Sequence, residues 1–270
     1  MPRPNMIDQR IDPLSDTITY EHPINERTRL LLRFAHLFDQ LSLYQHRTDA
    51  WDSRAAIDVL VDISSLLGRT DTKSEIIKEL KRDLKKLEKI SNTSGVDTRR
   101  LGSVMDSLEN SITDLSGLPG PLGQELKEDE FLKNIAQRST VPGCTCAFDM
   151  PNYHYWLQLP AEHRIEQLNT WFQPLQGFKQ AVSLLVEIIR MSGANRPIVA
   201  SRGFYQQKLE FSIPVQLIRV TVPYETCLIA EISGGKHRFS VRFMGFDEQI
   251  EHRPEQIFDD IPFDLAICVM

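Results

Sequence analysis

The spacing of apolar residues changes along the chain, and this change limits the fold more than any other feature. From Asn25 to about residue 192, most apolar residues recur every three or four positions, as on the buried side of an amphipathic helix. Beyond Gly193 the sequence is rich in Val, Ile and Thr, and alternating segments follow one another at intervals of ~10 residues. The pattern predicts an α+β protein in which an N-terminal, mostly helical domain packs against a C-terminal antiparallel β domain.

Capping residues, glycines and prolines set the predicted element boundaries. Predicted helices start after the N-caps Asn25 and Asp49, run from 72 to 90 and from Asp97 onward, and cover 124–138 and 161–192 with a break near Pro174. Predicted strands cover residues 17–23, 144–148, 215–222, 226–232, 237–246 and 263–269. The expected organisation is a disordered arm (1–14), a strand pairing with the β domain (15–23), a mainly helical domain (24–192) and a β-rich domain (193–270).

Charge and cysteine usage indicate the class of protein. The chain has 31 Lys and Arg against 37 Asp and Glu, a net charge of −6, which argues against a dedicated duplex-DNA binder. Its four cysteines are too few and too scattered for a disulfide framework. We find neither a signal peptide nor an apolar run near the ~18 residues that a membrane helix needs. We therefore expect a cytoplasmic protein without membrane insertion.

Motifs of catalysis and cofactor binding are missing from the sequence. A phosphate-binding GxxxxGK[ST] loop, a GxGxxG turn, an HExxH helix and paired CxxC motifs are all absent. Cys144 and Cys146 would face the same side of a strand, but a zinc site would need two further ligands, of which His154 is the only nearby candidate. We therefore expect no enzymatic activity, no cofactor and no metal.

The most informative segment is the basic-aromatic stretch 234–244, GGKHRFSVRFM. Side chains of a strand alternate between its two faces. One face would carry Lys236, Arg238, Ser240 and Arg242, and the other Phe239, Val241 and Phe243. The basic face has two interpretations: a solvated surface whose cations guard a sheet edge, or a docking strip for an acidic or extended peptide.

Further cations and aromatic residues occur in the helical part. Arg29, Arg33 and His36 share one face of the first predicted helix, where like charges four residues apart repel. That face is either solvated or part of a binding site. The aromatic stretch Tyr153–Trp156 is typical of an interface and equally of a junction between domains.

Three segments together resemble one family. EHPINERTRLLLR (21–33), VPGCTCAFDMPNYHYWLQLP (141–160) and SGGKHRFSVRFM (233–244) are similar to the signature stretches of ZapD, a family of Z-ring-associated cell division proteins of Gram-negative bacteria. The resemblance implies a cytosolic homodimer with a helical and a β domain. It also implies binding of FtsZ, mainly through the FtsZ C-terminal tail, and cross-linking of FtsZ protofilaments into bundles that stabilise the Z-ring at midcell. No enzymatic activity or cofactor is implied.

The family pattern also implies which residues bind the FtsZ tail. The basic positions that match it are Arg33, His154, Lys236, Arg238 and Arg242. Arg29, Arg69 and Arg138 are weaker candidates that the pattern does not assign. Glu130 departs from the pattern because relatives carry a basic residue there. An acid at this position would weaken a basic pocket or shift contact toward Lys133 or Arg138.

The alternative function is an RNA or single-stranded nucleic-acid binding module that uses residues 236–243. That segment, KHRFSVRF, matches the basic-aromatic RNA-recognition pattern only at Lys236, Val241 and Phe243. The acidic net charge also counts against this alternative.

Overall fold

A computed structural model describes residues 16–68, 71–91, 98–245 and 254–270. The predicted arm 1–14, the weaker candidate Arg69 and the N-cap Asp97 lie outside these ranges. The chain forms two compact units: a β unit of Met1–Leu32 with Val186–Met270, and a helical unit of Arg33–Leu185. The two boundaries between the units, at Leu32/Arg33 and at Leu185/Val186, fall inside the first and the last long helix.

The predicted helices are present in the predicted order, together with one short helix that was not predicted, Pro151–Leu157. Each helix buries apolar side chains. Asp49 is the N-cap of the second helix, where its side chain accepts a 2.8 Å hydrogen bond from the backbone N–H of Trp51. The helices are α1 (Glu26–Tyr44), α2 (Ala50–Leu67), α3 (Thr72–Ser91), α4 (Thr98–Gly117), α5 (Gln124–Glu128), α6 (Glu130–Arg138), α7 (Pro151–Leu157), α8 (Ala161–Phe172) and α9 (Gln176–Met191). In the described part of the chain, none is both long and apolar enough to cross a membrane.

Two predictions for the helical unit are wrong, and one is confirmed. The single helix predicted over 124–138 is two helices, because Asp129 adopts an extended conformation and caps α6 through a 2.9 Å hydrogen bond from the N–H of Leu132. The strand predicted at 144–148 is a series of turns, since Gly143 has φ 80° and no strand lies beside the segment to pair with it in the described structure. The break near Pro174 is confirmed by a turn of 3-10 helix between α8 and α9.

Aromatic rings form much of the core of the helical unit. Phe34, Phe38, Phe172 and Phe178 pack together from α1, α8 and α9. A second group joins Phe131, Tyr153, Trp156 and Trp171. The stretch around residue 153 forms α7, which buries Tyr153 and Trp156 and exposes Tyr155. Two of the four rings in that stretch, those of Tyr153 and Trp156, therefore belong to the core of this unit.

The β unit contains two antiparallel sheets. The first has the order β1-β4-β8-β2 and the second β3-β6-β5, with β7 paired to the end of β6. The strands are β1 (Thr17–Pro23), β2 (Arg196–Ala200), β3 (Phe204–Lys208), β4 (Val215–Pro223), β5 (Leu228–Gly234), β6 (Arg238–Gly245), β7 (Glu255–Gln256) and β8 (Ile261–Val269). Their inward residues form one apolar cluster drawn from both sheets. The α+β class is confirmed, as is the prediction that the early strand joins the sheet, since β1 pairs with β4.

A half-buried ion cluster stabilises the first sheet. The carboxylate of Glu21 on β1 accepts two 2.7 Å hydrogen bonds from Arg190 and a 3.1 Å hydrogen bond from Arg219, its cross-strand partner on β4. Partial burial raises the pKa of the Glu21 carboxyl, but the two guanidinium groups outweigh it and hold the pKa below its ordinary value of 4.5. Glu21 is therefore ionised in the folded protein over the whole neutral range.

Candidate partner-binding surface

Strand β6 presents one apolar and one basic face. Phe239, Val241 and Phe243 are buried in the core between the two sheets. Arg238 and Arg242 are exposed on the opposite face, about 13 Å apart along the strand. The alternation predicted for this strand is therefore confirmed, and it directs two guanidinium groups toward solvent.

Neighbouring strands extend this face. In antiparallel sheets directly opposed residues project to the same side. On β3, Lys208 lies opposite Arg238, Gln206 opposite Ser240 and Phe204 opposite Arg242. On β5, Ser233 lies opposite Ser240 and Glu231 opposite Arg242. We call the surface formed by Lys208, Lys236, Arg238 and Arg242 the basic face.

A hairpin forms one end of the basic face. Strands β5 and β6 are joined by Gly235, Lys236 and His237, and the N–H of Gly235 donates a 3.0 Å hydrogen bond to the carbonyl of Arg238. Gly234 has no room for a side chain, because a Cβ there would lie 2.7 Å from the Cβ of Phe239. A concavity of about 390 Å³ opens beside this hairpin and is lined by Gln206, Ser233–Phe239 and Ser240.

The cations of the basic face are available to a ligand. Among the described residues, none of the four makes an ion pair, and all four are exposed. The sequence alone suggested a row without an acid, but the register places Glu231 beside Arg242. The face thus carries four positive charges and one negative charge (4 − 1 = +3) in a chain whose net charge is −6. A carboxylate-bearing ligand is therefore attracted to the basic face.

An exposed aromatic pair borders the same concavity. The ring of Phe211 stacks on the imidazole of His237, with centroids 5.9 Å apart and planes 10° apart. His237 is one of the residues lining the concavity. This pair connects residues 26 positions apart and could not be predicted from either segment alone.

Candidate residues of the helical unit share no hydrogen bond or ion pair with one another in the part of the chain that the structure describes. Arg33 on α1 lines a shallow depression with His36, Asp62 and Ser65. His154 is exposed on α7 and Arg138 on the last turn of α6, while Glu130 lies on the first turn of that helix. No contact within the described ranges joins Arg33, Arg138 and His154.

The weaker candidate Arg29 belongs to the β unit. It has a counter-charge in the 3.2 Å ion pair with Glu26, so repulsion from Arg33 is partly relieved. Arg29 is therefore less available to an anionic ligand than the four cations of the basic face.

Lys208 and Gln206 were missed by the sequence analysis. Strand β3, FYQQK, is short and mostly polar, and its alternation is hidden because Phe204 faces outward while Tyr205 contributes to the core. The sequence of this segment carries no alternation of apolar and polar residues, so these two residues are identified only when β3 is aligned with β6 in the structure.

The two phenylalanines of segment 236–243 are not available for nucleic-acid binding in the way that the alternative function requires. Stacking on bases requires exposed aromatic rings. Phe239 and Phe243 are 1% and 0% exposed and are packed between the sheets. The described residues also contain no group of three or more His, Cys, Asp or Glu side chains that could hold a metal ion. The thiol of Cys146 donates a 3.1 Å hydrogen bond to the carboxylate of Asp149.

Comparison with known proteins identifies the family. The family model of ZapD, described as a cell division protein, matches residues 32–242. A curated relative, the cell division protein ZapD of Methylococcus capsulatus strain Bath, is 37% identical over 258 residues, covering 95% of this chain and 100% of the relative. The family model covers the whole of the second signature stretch (141–160) and most of the third (233–244), but only Leu32 and Arg33 of the first (21–33). The chain belongs to the ZapD family of cell division proteins.

Proposed function

We propose that this protein binds the C-terminal tail of FtsZ through the basic face and cross-links FtsZ protofilaments as a homodimer at midcell. The observation that carries the proposal is the set of four exposed cations on one face of the β unit, which make no ion pair with the described residues. Membership of the ZapD family supports the role in cell division. In this proposal the protein is a cytoplasmic interaction protein that performs no catalysis.

The proposed contact is electrostatic and directional. Arginine binds carboxylates through two parallel N–H donors, which fixes orientation as well as affinity. Arg238 and Arg242 are about 13 Å apart, a separation that an extended peptide spans in four residues. Ser240 and Gln206 between them offer hydrogen bonds to the peptide. We therefore propose an extended, acid-bearing tail lying along β6.

Residues of the helical unit are proposed as additional FtsZ contacts. Arg33 and His154 are exposed and lie in segments that resemble the ZapD family, and Arg138, which is also exposed, is a weaker candidate. Glu130 lies eight residues before Arg138 on α6, about 12 Å away along the axis, so its charge leaves Arg138 accessible. The contact of Arg33 is tested separately from the basic face.

Two-fold symmetry supplies the cross-linking mechanism. A homodimer presents two equivalent tail-binding surfaces, and binding of two filaments follows without any further contact. Two weak sites on one particle also gain avidity along a polymer that displays many tails. The direct test is co-pelleting with polymerised FtsZ from the same bacterium, with and without its C-terminal tail. Equal pelleting of both polymers would disprove tail binding.

We expect the purified protein to sediment as a dimer at micromolar concentration, at about twice the chain mass of 31.0 kDa. The helical unit exposes the rings of Trp51, Phe148 and Tyr155, which makes it the surface on which we place the second copy. Sedimentation velocity checks this, with Phe148→Ser and Tyr155→Ser expected to favour the monomer. A wild-type monomer at these concentrations would remove the bridging mechanism.

Bundling of FtsZ should fall steeply as salt rises. Exposed charge pairs are screened over about 8 Å at 0.15 M salt and about 3 Å at 1 M, whereas apolar contacts are not screened. Light scattering of bundles across a salt series measures the loss, and sedimentation of the protein alone shows whether the dimer survives. Bundling that does not change with salt would assign the main contact to apolar residues instead.

A further inference from the structure

We propose that Phe211 is an apolar anchor at the hairpin end of the basic face, and that it packs against an apolar side chain two residues away from an acidic residue of the bound tail. The inference rests on the proposed function and goes beyond it, because it assigns a second, uncharged component to recognition. The ligand class becomes an extended peptide that combines carboxylates with a nearby apolar side chain.

The exposure of Phe211 is the first observation. Its side chain is 83% exposed, although it lies in a unit with a large apolar core. Large aromatic rings at the surface are enriched in binding interfaces, where they bury much area and lose little conformational entropy. Tyr224, 65% exposed at the opposite end of β5, offers a comparison because it has no ring partner among the described residues.

The ring of Phe211 is held in place before any ligand binds. It stacks on His237 in a nearly parallel arrangement. The N–H of Leu209 donates a 2.8 Å hydrogen bond to the carbonyl of His237, and the N–H of Ile213 donates a 3.1 Å hydrogen bond to the carbonyl of Glu210. The loop is thus attached to the hairpin on one side of Phe211 and closed into a turn on the other. A pre-positioned ring costs less entropy on binding.

The position of the ring next to the cations determines the ligand chemistry. His237 lines the concavity together with Lys236 and Arg238, so the stacked pair adjoins these two cations. When a carboxylate of an extended peptide pairs with Arg238, the side chain two residues along the peptide points to the same face and reaches the hairpin. Burial of that side chain against Phe211 excludes water from the ion pair, which strengthens it.

The test measures binding of a fluorescently labelled FtsZ tail peptide to the full-length protein by anisotropy. Phe211→Ala is expected to raise the Kd about tenfold, both at low salt and at about 0.5 M salt, because apolar burial is not screened. Phe211→Leu should retain affinity to within about threefold, since it keeps most of the apolar area. Tyr224→Ala, the matched control, should bind as wild type.

A double-mutant cycle identifies the peptide side chain involved. Each apolar residue of the tail peptide is replaced by Ser and tested against wild type and Phe211→Ala. One replacement is expected to lose affinity with wild type but to lose little further affinity with the variant. If Phe211→Ala binds as wild type while Arg238→Glu binds weakly, the anchor is wrong and the proposed function stands. If wild type does not bind the tail, both are wrong.

Discussion

Arg238→Glu is expected to abolish FtsZ bundling and to leave the folded protein intact. Arg238 is exposed and lies opposite Lys208, so the new carboxylate gains a favourable cross-strand partner and the melting temperature should be unchanged or slightly raised. Removing a cation that pairs with a bound carboxylate costs about 1–3 kcal/mol, up to about a hundredfold in affinity, and reversal adds repulsion. Tail affinity, bundling and thermal unfolding are measured together.

Arg196→Glu is the control for this charge reversal. It makes the same change in the β unit at an exposed position on the other sheet, and bundling should persist. Wild-type affinity in a folded Arg238→Glu protein would place the tail elsewhere.

Glu231→Gln tests the basic face in the opposite direction. Glu231 lies opposite Arg242 and is the only acid among the residues of β3 and β5 that lie opposite Arg238, Ser240 and Arg242, so its removal should strengthen tail binding a few-fold.

Arg33→Glu tests the helical unit independently. If Arg33 contacts FtsZ, its reversal weakens bundling while the basic face still binds the isolated tail peptide. Bundling at the wild-type level in this variant would remove Arg33 from the proposed contacts and leave the basic face unaffected.

Glu21→Gln is expected to lower the stability of the β unit by roughly 2–3 kcal/mol, a fall in melting temperature of ~10 °C. The substitution removes the carboxylate charge and leaves Arg190 and Arg219 half-buried without it. Glu26→Gln is the matched control, because its ion pair with Arg29 is well exposed and should contribute less than about 1 kcal/mol. Thermal unfolding of both variants at neutral pH makes the comparison. Equal melting temperatures would show that the cluster contributes nothing to stability.

The same cluster predicts a dependence on pH. The pKa of Glu21 is lower in the folded protein than its ordinary value of 4.5, so the unfolded chain binds the proton more readily. The contribution of Glu21 is therefore complete above about pH 4.5 and is lost as the pH falls through the folded pKa. The difference in stability between wild type and Glu21→Gln should accordingly shrink below pH 4.5. A difference that stays constant down to pH 3 would contradict this assignment.

Local spacing determined much of the fold. Apolar repeats predicted the long helices, and alternation predicted β1, β4, β5, β6 and β8, because each pattern depends only on how the backbone of its own segment repeats. For the same reason the sequence alone separated the buried Phe239, Val241 and Phe243 from the exposed Arg238 and Arg242. It did not predict β3, because the outward Phe204 conceals the alternation of that strand.

Tertiary structure decided which segments meet. Lys208 and Glu231 join the basic face through strand register, and Phe211 reaches His237 across a loop, so none of these neighbours follows from the spacing within one segment. Residues 144–148 have the composition of a strand but form turns, since no strand pairs with them in the described structure. The carboxylate of Glu21 accepts hydrogen bonds from Arg190 and Arg219, which lie about 170 and 200 residues further along the chain. Alternation shows which way a side chain points, whereas the folding of distant segments onto one another determines what it points at.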